Sequence, residues 1–332
     1  MKEERILSMK LVCYDVGTGP RAGVLEKDVI VDVTAIMDMN QTIADVQALL
    51  ELADDSAEAP LDRLREQLVS GFAPPGIPLS AARLRAPILQ PPTVRDFFAY
   101  EGHASAGGTR ELADAWYRLP IFYFSNPLRI FGPDDDVPYP SASNLLDYEL
   151  EIGCVIGKGG TNIREADGLS HIAGFMIFND WSARDLQFDE MTALLGPAKG
   201  KDGATSIGPW IVTTDELAPF LKDGRLHLQC RLRVNGELWM DAPAGGMYHS
   251  WGSFVERASR DSRIAPGDIF GSGTVSGGTI SEARRNGVDA RYLQPGDMVA
   301  MEVEGIGILR NRVGEKVDPD PDYRFGPPAR KK

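Results

Sequence analysis

The feature that most constrains the fold is a succession of β-rich runs after residue 120 that do not alternate regularly with helices. The clearest lies at 225–241, where two such runs flank Asn235-Gly236, a pair that favours a type I′ hairpin turn. Further apolar runs predict strands at 147–157, 171–180 and 293–313. Because a doubly wound parallel sheet needs strands that alternate with helices, the sequence instead predicts a mixed, β-dominated α+β fold.

The distribution of proline and small residues divides the chain into unequal parts. The first part predicts short strands and then two helices, at 9–16, 22–34, 42–55 and 59–71. A proline-rich run then predicts a linker. The predicted division is a small β-rich N-terminal domain at 1–72, a linker at 73–92, a main domain at 93–312 and a polar extension at 313–332. Met9 begins the first strand, so both Met1 and Met9 are candidate start sites.

The acidic composition excludes several classes of function. Asp and Glu number 48 against 35 Lys and Arg, whereas a nucleic-acid binder carries a basic excess to neutralise phosphates. We find no run of about 18 apolar residues that predicts a membrane span, and no apolar stretch typical of a signal peptide. The three cysteines lie far apart, which argues for a reducing cytosol and against disulfides or a zinc-thiolate site. We therefore expect a cytoplasmic protein without nucleic-acid or membrane partners.

Two acidic residues occupy one face of a predicted strand. Glu149 and Glu151 are two residues apart, so both side chains leave the same face. A solvated strand face would explain an isolated pair of this kind. Here the strand continues into the apolar run 152–156, and carboxylates close to a core are costly unless they are paired or bind a metal.

A third acid, Asp180, follows an apolar strand and precedes a helical pattern. It could simply cap that helix. Alternatively, Asp180, Arg184 and Gln187 lie on one helical face, which would place a carboxylate, a guanidinium and an amide together at the end of a strand. The spacing alone supports both interpretations equally.

Among the four histidines, His103 lies in the most flexible sequence context, beside Gly102 and seven residues after Asp96. His171 and His227 fall next to or within strands and are more typical of structural residues. Oxygen ligands from Asp and Glu, without cysteine, favour a hard cation such as Mg²⁺ or Mn²⁺, with Ca²⁺ as a further candidate.

Five segments in order carry a resemblance to a known family. They are D-F-F-A-Y-E-G-H (96–103), D-Y-E-L-E-I-G-C-V-I-G (147–157), F-N-D-W-S-A-R-D-L-Q (178–187), K-G-K-D-G-A-T-S-I-G-P-W-I-V (199–212) and G-S-G-T-V-S-G (271–277). Together they resemble the fumarylacetoacetate hydrolase family, from about residue 90 to about residue 312. The resemblance implies a mixed β-sheet roll or barrel for the main domain and assembly as a homodimer.

The resemblance also implies a role for each matching residue. The implied metal ligands are Glu149, Glu151, Asp180 and Asp96. The implied catalytic residues are His103 and Lys199, and the implied substrate-binding residues are Arg184, Gln187, Tyr123 and Thr274. The metal would be Mg²⁺ or Mn²⁺, and the substrate a small acidic 2-oxo or diketo acid.

The chain departs from the family pattern around the histidine. Phe98 stands where fumarylacetoacetases have tyrosine, and Ala106 stands where another branch of the family has an acid. The acidic partner of His103 is therefore open, with Glu101 and Glu282 as candidates.

The activity predicted from these residues is metal-dependent hydrolysis of a carbon–carbon bond in a 2,4-diketo acid, with an enolate as leaving group. The alternative is decarboxylation, isomerisation or dehydration of a 2-oxo acid at the same site. A third interpretation is a non-catalytic metal-binding protein. The lysine, arginine, glutamine and histidine beside the carboxylates count against it, because ion binding alone requires none of them.

Overall fold

A computed structural model describes residues 9–52, 59–70, 74–318, 320 and 322. The strands are β1 (Lys10–Asp15), β2 (Pro20–Glu26), β3 (Val29–Asp32), β4 (Ile77–Pro78), β5 (Arg83–Arg85), β6 (Val94–Phe97), β7 (Phe122–Ser125), β8 (Ile130–Phe131), β9 (Asp136–Tyr139), β10 (Leu146–Asp147), β11 (Leu150–Ile156), β12 (Gly160–Thr161), β13 (Ile172–Asp180), β14 (Ser182–Ala183), β15 (Thr205–Thr213), β16 (Leu221–Lys222), β17 (Arg225–Leu226), β18 (Gln229–Val234), β19 (Glu237–Pro243), β20 (Arg263–Ile264), β21 (Ile269–Gly271), β22 (Met298–Val303) and β23 (Gly307–Lys316).

The helices are mostly short. They are α1 (Val33–Ile36), α2 (Val46–Leu50), α3 (Pro60–Val69), α4 (Glu101–Ala104), α5 (Asp114–Arg118), α6 (Glu165–Gly168), α7 (Arg184–Met191), α8 (Trp251–Ser259) and α9 (Ile280–Arg285). Within the described ranges, no helix combines the length and apolarity that crossing a membrane requires.

Two mixed sheets organise these elements, which confirms the predicted β-dominated α+β class. The larger has 12 strands in the order β4-β3-β2-β1-β15-β13-β11-β21-β6-β7, with β5 on β1 and β8 on β15. The smaller has the order β19-β18-β22-β23-β9. Its hairpin β18–β19 turns through Asn235 and Gly236, which have φ values of 52° and 86°. Positive φ at both positions is what a type I′ turn requires, so this prediction is also confirmed.

The central strands β11 and β13 are buried on both faces. In β13, Phe175 and Ile177 belong to the core shared with β18 and β22 of the smaller sheet. Met176 and Phe178 alternate with them and belong to a second core, which α1, α2 and α3 cover. Burial on both faces explains why these strands are continuous apolar runs in the sequence.

The described N-terminal strands join the main sheet, whereas the sequence predicts a separate small domain for residues 1–72. Lys10 and Leu11 of β1 pair with Val212 and Ile211 of β15, so the N-terminal strands extend the main sheet. The expected linker at 73–92 contains β4 and β5, which pair with β3 and β1. The sequence predicts strands at 9–16 and 22–34, whereas β4 and β5 lie in the run predicted as a linker. The sequence carries no local signal that β1 pairs with a strand some 200 residues away.

Three other predictions lie at the limits of the described residues. The expected polar extension at 313–332 begins inside β23, which continues to Lys316, and most of its remainder is outside the described residues. The helix expected at 42–55 is observed only as α2, and 53–58 lie outside the described residues. Met9 is buried, its amide donating to Thr213 Oγ1, while residues 1–8 also lie outside them.

Candidate active site

Four acidic side chains meet at one end of the main sheet, where the face covered by α1–α3 changes from apolar to charged. Asp180 follows the core residue Phe178 by two positions in β13, and therefore points to the same face. Asp96 follows Val94 by two positions in β6 in the same way. Each acid of the cluster offers one oxygen within 4.8 Å of the others, and the members are Asp96, Glu149, Glu151 and Asp180. All four side chains are buried.

A glycine makes this close approach possible. Gly271 in β21 pairs with Asp96 in β6 and with Gly153 in β11, between the strands that carry the acids. A Cβ atom on Gly271 would lie 2.7 Å from Asp96 Oδ1 and 2.7 Å from Glu151 Oε2. Any larger residue would therefore displace the two carboxylates.

Two cations and a phenol hold part of the cluster. Lys201 Nζ donates to Glu149 Oε2 at 2.5 Å and also to Asp180 Oδ2. The Tyr123 hydroxyl oxygen lies 3.0 Å from Asp96 Oδ2 and also contacts Asp180 Oδ2, so its single proton can be donated to either carboxylate. Arg184 Nη1 lies 2.7 Å from Glu149 Oε1. These contacts use one oxygen of Asp96, one of Asp180 and both of Glu149.

The remaining oxygens of the cluster include three that are buried without a hydrogen-bond partner among the described residues. They are Asp96 Oδ1, Glu151 Oε1 and Asp180 Oδ1. A buried carboxylate oxygen without a partner is costly, and three such oxygens from strands of one sheet are the kind of donor set that binds a hard divalent cation. The cluster therefore fits a site for a divalent metal ion.

The acids of the cluster differ in how readily they ionise. Burial raises the pKa of Asp96 well above its ordinary value, and the charge of Asp180 raises it further. Burial and the charge of Asp96 likewise raise the pKa of Glu151. Burial also opposes ionisation of Glu149, but Lys201 and Arg184 outweigh it and hold the pKa of Glu149 below its ordinary value. A bound cation would stabilise the ionised forms of Asp96 and Glu151 and would therefore lower their pKa values.

The structure identifies the acid beside His103. Nδ1 of His103 lies 3.2 Å from Glu282 Oε2, and the same oxygen accepts a hydrogen bond from Thr279 Oγ1 at 2.9 Å. Thr279 is also the N-cap of α9, so the helix start fixes the carboxylate. The other candidate, Glu101, instead accepts from the Tyr117 hydroxyl at 2.7 Å. Glu282 lies 179 residues after the histidine, and the sequence named it only as one of two candidates.

The lysine needs correction. Lys199 lies at the surface, where its side chain is 65% exposed and its ammonium pairs with Asp202. Lys201, two residues later, is the buried lysine that bridges Glu149 and Asp180. Both lysines belong to the same K-G-K-D segment, so a motif match alone could not choose between them. Which lysine reaches the carboxylates depends on which side chain the loop directs into the protein interior.

The structure also places the predicted substrate-binding residues. Gln187 Oε1 accepts from Arg184 Nη1 at 2.9 Å, and Tyr123 joins the carboxylates as described above. Thr274 is buried next to Gly273, whose amide donates to Glu151 Oε2 at 2.9 Å. Sequence reasoning missed Asp147, which accepts a hydrogen bond from Arg184 Nε at 2.8 Å, although Asp147 opens one of the quoted motifs.

Comparisons with known proteins agree with this arrangement. The family model described as fumarylacetoacetate (FAA) hydrolase, C-terminal, matches residues 93–314. Protein Rv2993c of Mycobacterium tuberculosis is 34% identical over 242 residues, which cover 73% of this chain and 82% of that protein. Oxaloacetate tautomerase FAHD2B, mitochondrial, of Bos taurus is 31% identical over 259 residues, covering 78% of this chain and 77% of that protein.

A solved structure gives the same result for the fold. The fumarylacetoacetate hydrolase from psychrophilic Exiguobacterium antarcticum superposes with a TM-score of 0.71 at 27% sequence identity. The match covers 93% of this chain and 100% of that one, so it extends over the N-terminal strands as well as the site.

Proposed function

Because this chain belongs to the fumarylacetoacetate hydrolase family, we propose that it is a metal-dependent enzyme that processes a small acidic 2-oxo acid through enol chemistry. One observation carries the proposal: three carboxylate oxygens have no partner among the described residues, and the same hydrogen-bonded network contains a histidine paired with a carboxylate. Arg184 contacts Glu149 of the cluster and donates to Asp147, which also accepts from the amide of Ile280 in α9, the helix that carries Glu282. The proposed site thus combines a metal-binding cluster with a base.

The residues that would hold the metal are Asp96, Glu151 and Asp180 through their free oxygens, with Glu149 beside them. A divalent cation bound there supplies a Lewis acid for a carbonyl oxygen of the substrate. Lys201 keeps a positive charge in the site, because Asp180 and Glu149 raise its pKa and outweigh the opposing effect of burial. That charge favours binding of an acidic substrate.

His103 is the proposed base. Since Nδ1 faces Glu282, Nε2 is the ring nitrogen left to take a proton. The Glu282 carboxylate fixes the orientation of the ring. It also stabilises the imidazolium that forms when Nε2 takes a proton.

Hydrolysis of a 2,4-diketo acid is the reaction we favour. Nε2 of His103 would take a proton from water while the water oxygen attacks the distal carbonyl carbon. The carbon–carbon bond then breaks, the electron pair goes to the departing enolate, and the proton returns to its carbon. One water is consumed, and a 2-oxo acid and a second carboxylic acid are released. A histidine held by a carboxylate is suited to activating water as a general base.

Keto–enol tautomerisation is the second candidate, and the bovine relative named an oxaloacetate tautomerase favours it. Here Nε2 would take a proton from the carbon next to the 2-oxo group, and the oxygen would gain one. No water is consumed and no carbon–carbon bond breaks. The same base therefore serves both reactions, which differ in the atom that loses the proton.

A product assay in H₂¹⁸O and D₂O separates the two candidates. The protein with Mg²⁺ or Mn²⁺ is given acylpyruvates, fumarylpyruvate and oxaloacetate, and products are resolved by mass. Pyruvate plus an acid carrying one ¹⁸O supports hydrolysis. Faster ketonisation of enol-oxaloacetate, with deuterium at carbon 3 and no cleavage, would replace hydrolysis with tautomerisation. Glu151→Gln is the control that must lose either activity.

A binding assay addresses the non-catalytic alternative. Stabilisation by oxalate only in the presence of Mg²⁺ would support a 2-oxo-acid site, whereas stabilisation by the cation alone would favour simple metal binding. Assembly as a homodimer remains a prediction, and analytical ultracentrifugation would test it.

A further inference from the structure

Asp147 lies behind the candidate site and has no role in the reaction as proposed above. It ends β10 and pairs with Ser182 of β14, immediately before the helix that carries Arg184. Its side chain is 1% exposed. A buried carboxylate in this position is expensive to maintain unless each of its oxygens has a defined partner.

The two oxygens of Asp147 face different parts of the site. Oδ2 accepts from Arg184 Nε at 2.8 Å, and Nη1 of the same guanidinium lies 2.7 Å from Glu149 Oε1. Oδ1 accepts from the Ile280 amide at 3.1 Å. Ile280 is the first residue of α9, the helix that carries Glu282. One carboxylate thus contacts both the support of the metal cluster and the support of the base.

Each connection ends on a group that the proposed reaction uses. On one side, Arg184 holds Glu149 in the carboxylate cluster. On the other side, the start of α9 places Glu282 against His103. Because α9 has only six residues, few contacts hold it in position. The hydrogen bond from its first amide to the buried Asp147 carboxylate is therefore important for where the helix starts.

We propose that Asp147 is a positioning residue that sets the metal cluster and the His103–Glu282 pair at a fixed separation. This inference rests on the proposed function, since it assigns Asp147 a part in bringing base and metal to the same substrate. Replacing a residue that holds a metal ligand in place typically changes metal affinity or activity by about 10–100-fold.

The test compares Asp147→Asn with a matched control, Asp268→Asn. Asp268 is also 1% exposed, pairs with Arg95 at 3.2 Å and accepts a backbone amide, but Arg95, unlike Arg184, forms no ion pair with any of the four clustered acids. Both variants lose one buried charge and should lose similar thermal stability. Only Asp147→Asn should weaken Mn²⁺ binding in calorimetry, by roughly 10-fold.

A double-mutant cycle with Glu282→Gln tests the second connection. In the wild type Glu282→Gln should lower kcat, and in the Asp147→Asn background the same change should lower it by a smaller factor, because Glu282 is already displaced. Hydrogen exchange over residues 279–285 should also be faster in Asp147→Asn than in Asp268→Asn. A purely structural role would alter Tm without changing the cycle.

The outcomes separate failure of this inference from failure of the proposed function. Equal Mn²⁺ affinity and exchange in the two Asn variants would overturn the inference, whatever reaction the wild type performs. A full effect of Glu282→Gln in both backgrounds would do the same. If no substrate is turned over, Mn²⁺ affinity and hydrogen exchange still decide the positioning role. Should Asp147→Asn not fold, Arg184→Lys breaks only the metal side: it should weaken Mn²⁺ binding without faster exchange at 279–285, and unchanged affinity would overturn the inference.

Discussion

Arg95 and Asp96 are neighbours in β6 but belong to two different buried charged clusters. In the cluster of Arg95 the positive and negative charges are balanced, whereas in the cluster of Asp96 the carboxylates are in excess. Arg95 pairs with Asp268, and both oxygens of that carboxylate have partners, Thr93 on one side and Arg95 with the Ala265 amide on the other. The guanidinium also lies over three phenylalanine rings. On the opposite face of the strand, Asp96 enters a group of four carboxylates, and within the described part of the chain two cations form ion pairs with that group, Lys201 and Arg184.

The difference indicates which cluster stabilises the fold and which one costs stability. Both oxygens of the Asp268 carboxylate have partners within the protein, and in this pair only Arg95 Nε is buried without a hydrogen-bond partner among the described residues. The Asp96 cluster keeps three oxygens without partners and raises the pKa of two of its acids, first by burial and then by mutual repulsion. An unbalanced buried cluster of this kind is typical of functional sites.

The largest expected effect follows from Glu151→Gln, which moves the Asp96 cluster toward balance. Removing one charge should abolish metal-dependent stabilisation and reduce turnover below detection, while the metal-free protein becomes more stable because repulsion falls. Thermal melts with Mn²⁺ and with chelator, alongside the product assay, check both. Retained turnover at saturating metal would contradict the ligand assignment.

His103→Ala leaves the balance of carboxylates unchanged and removes the base. We expect kcat to fall by about 10²–10⁴-fold, with Mn²⁺ affinity close to that of the wild type. Steady-state kinetics and calorimetry on the same preparation measure the two effects. Normal turnover with weakened metal binding would show that the histidine serves the cluster instead.

The two lysines of the K-G-K-D segment sharpen the comparison. Lys201→Met leaves Glu149 and Asp180 without their shared cation, and breaking a buried pair costs about 3–5 kcal/mol in the free energy of unfolding. Lys199→Met removes a surface pair, worth less than about 1 kcal/mol. Denaturant unfolding of both variants decides whether the inward lysine is correctly assigned. Equal losses in the free energy of unfolding would contradict the assignment of Lys201 and would make Lys199 the candidate again.

The smallest expected effect is a pH dependence of the metal-free protein. The ordinary values of Asp96 and Glu151 are 3.8 and 4.5, and both pKa values are raised in the folded state. The unfolded chain therefore loses these protons first as pH rises, and the folded state loses stability from about pH 4 up to the raised values. Melts in chelator should show Tm falling over this range, and saturating Mn²⁺ should remove the decrease. A Tm in chelator that rises with pH would contradict the assignment.

Much of the fold could be predicted because the relevant signals are local. The Asn235-Gly236 turn and the apolar runs of β11 and β13 are encoded in consecutive residues. The pairing of β1 with β15 is not, since it depends on shape and burial between segments some 200 residues apart. That is why the N-terminal strands were expected as a separate domain.

The site shows the same division. The three acids Glu149, Glu151 and Asp180 could be proposed from their position beside apolar strands, and the resemblance supplied Asp96. The contact of His103 with Glu282 depends on how α9 docks, and the choice of Lys201 over Lys199 depends on the direction of one loop. Both are consequences of tertiary packing that spacing along the chain does not record.

The pairing of β1 with β15 also bears on whether a shorter form of the chain would aggregate. A fragment trimmed to the family match at 93–314 would keep the pairing of β15 with β13 but would expose the opposite edge of β15 around Ile211, which β1 covers. It would also uncover the apolar residues beneath α2 and α3. An unprotected edge of this kind invites pairing with other chains and aggregation. The N-terminal strands therefore protect the sheet that carries the acids from self-association.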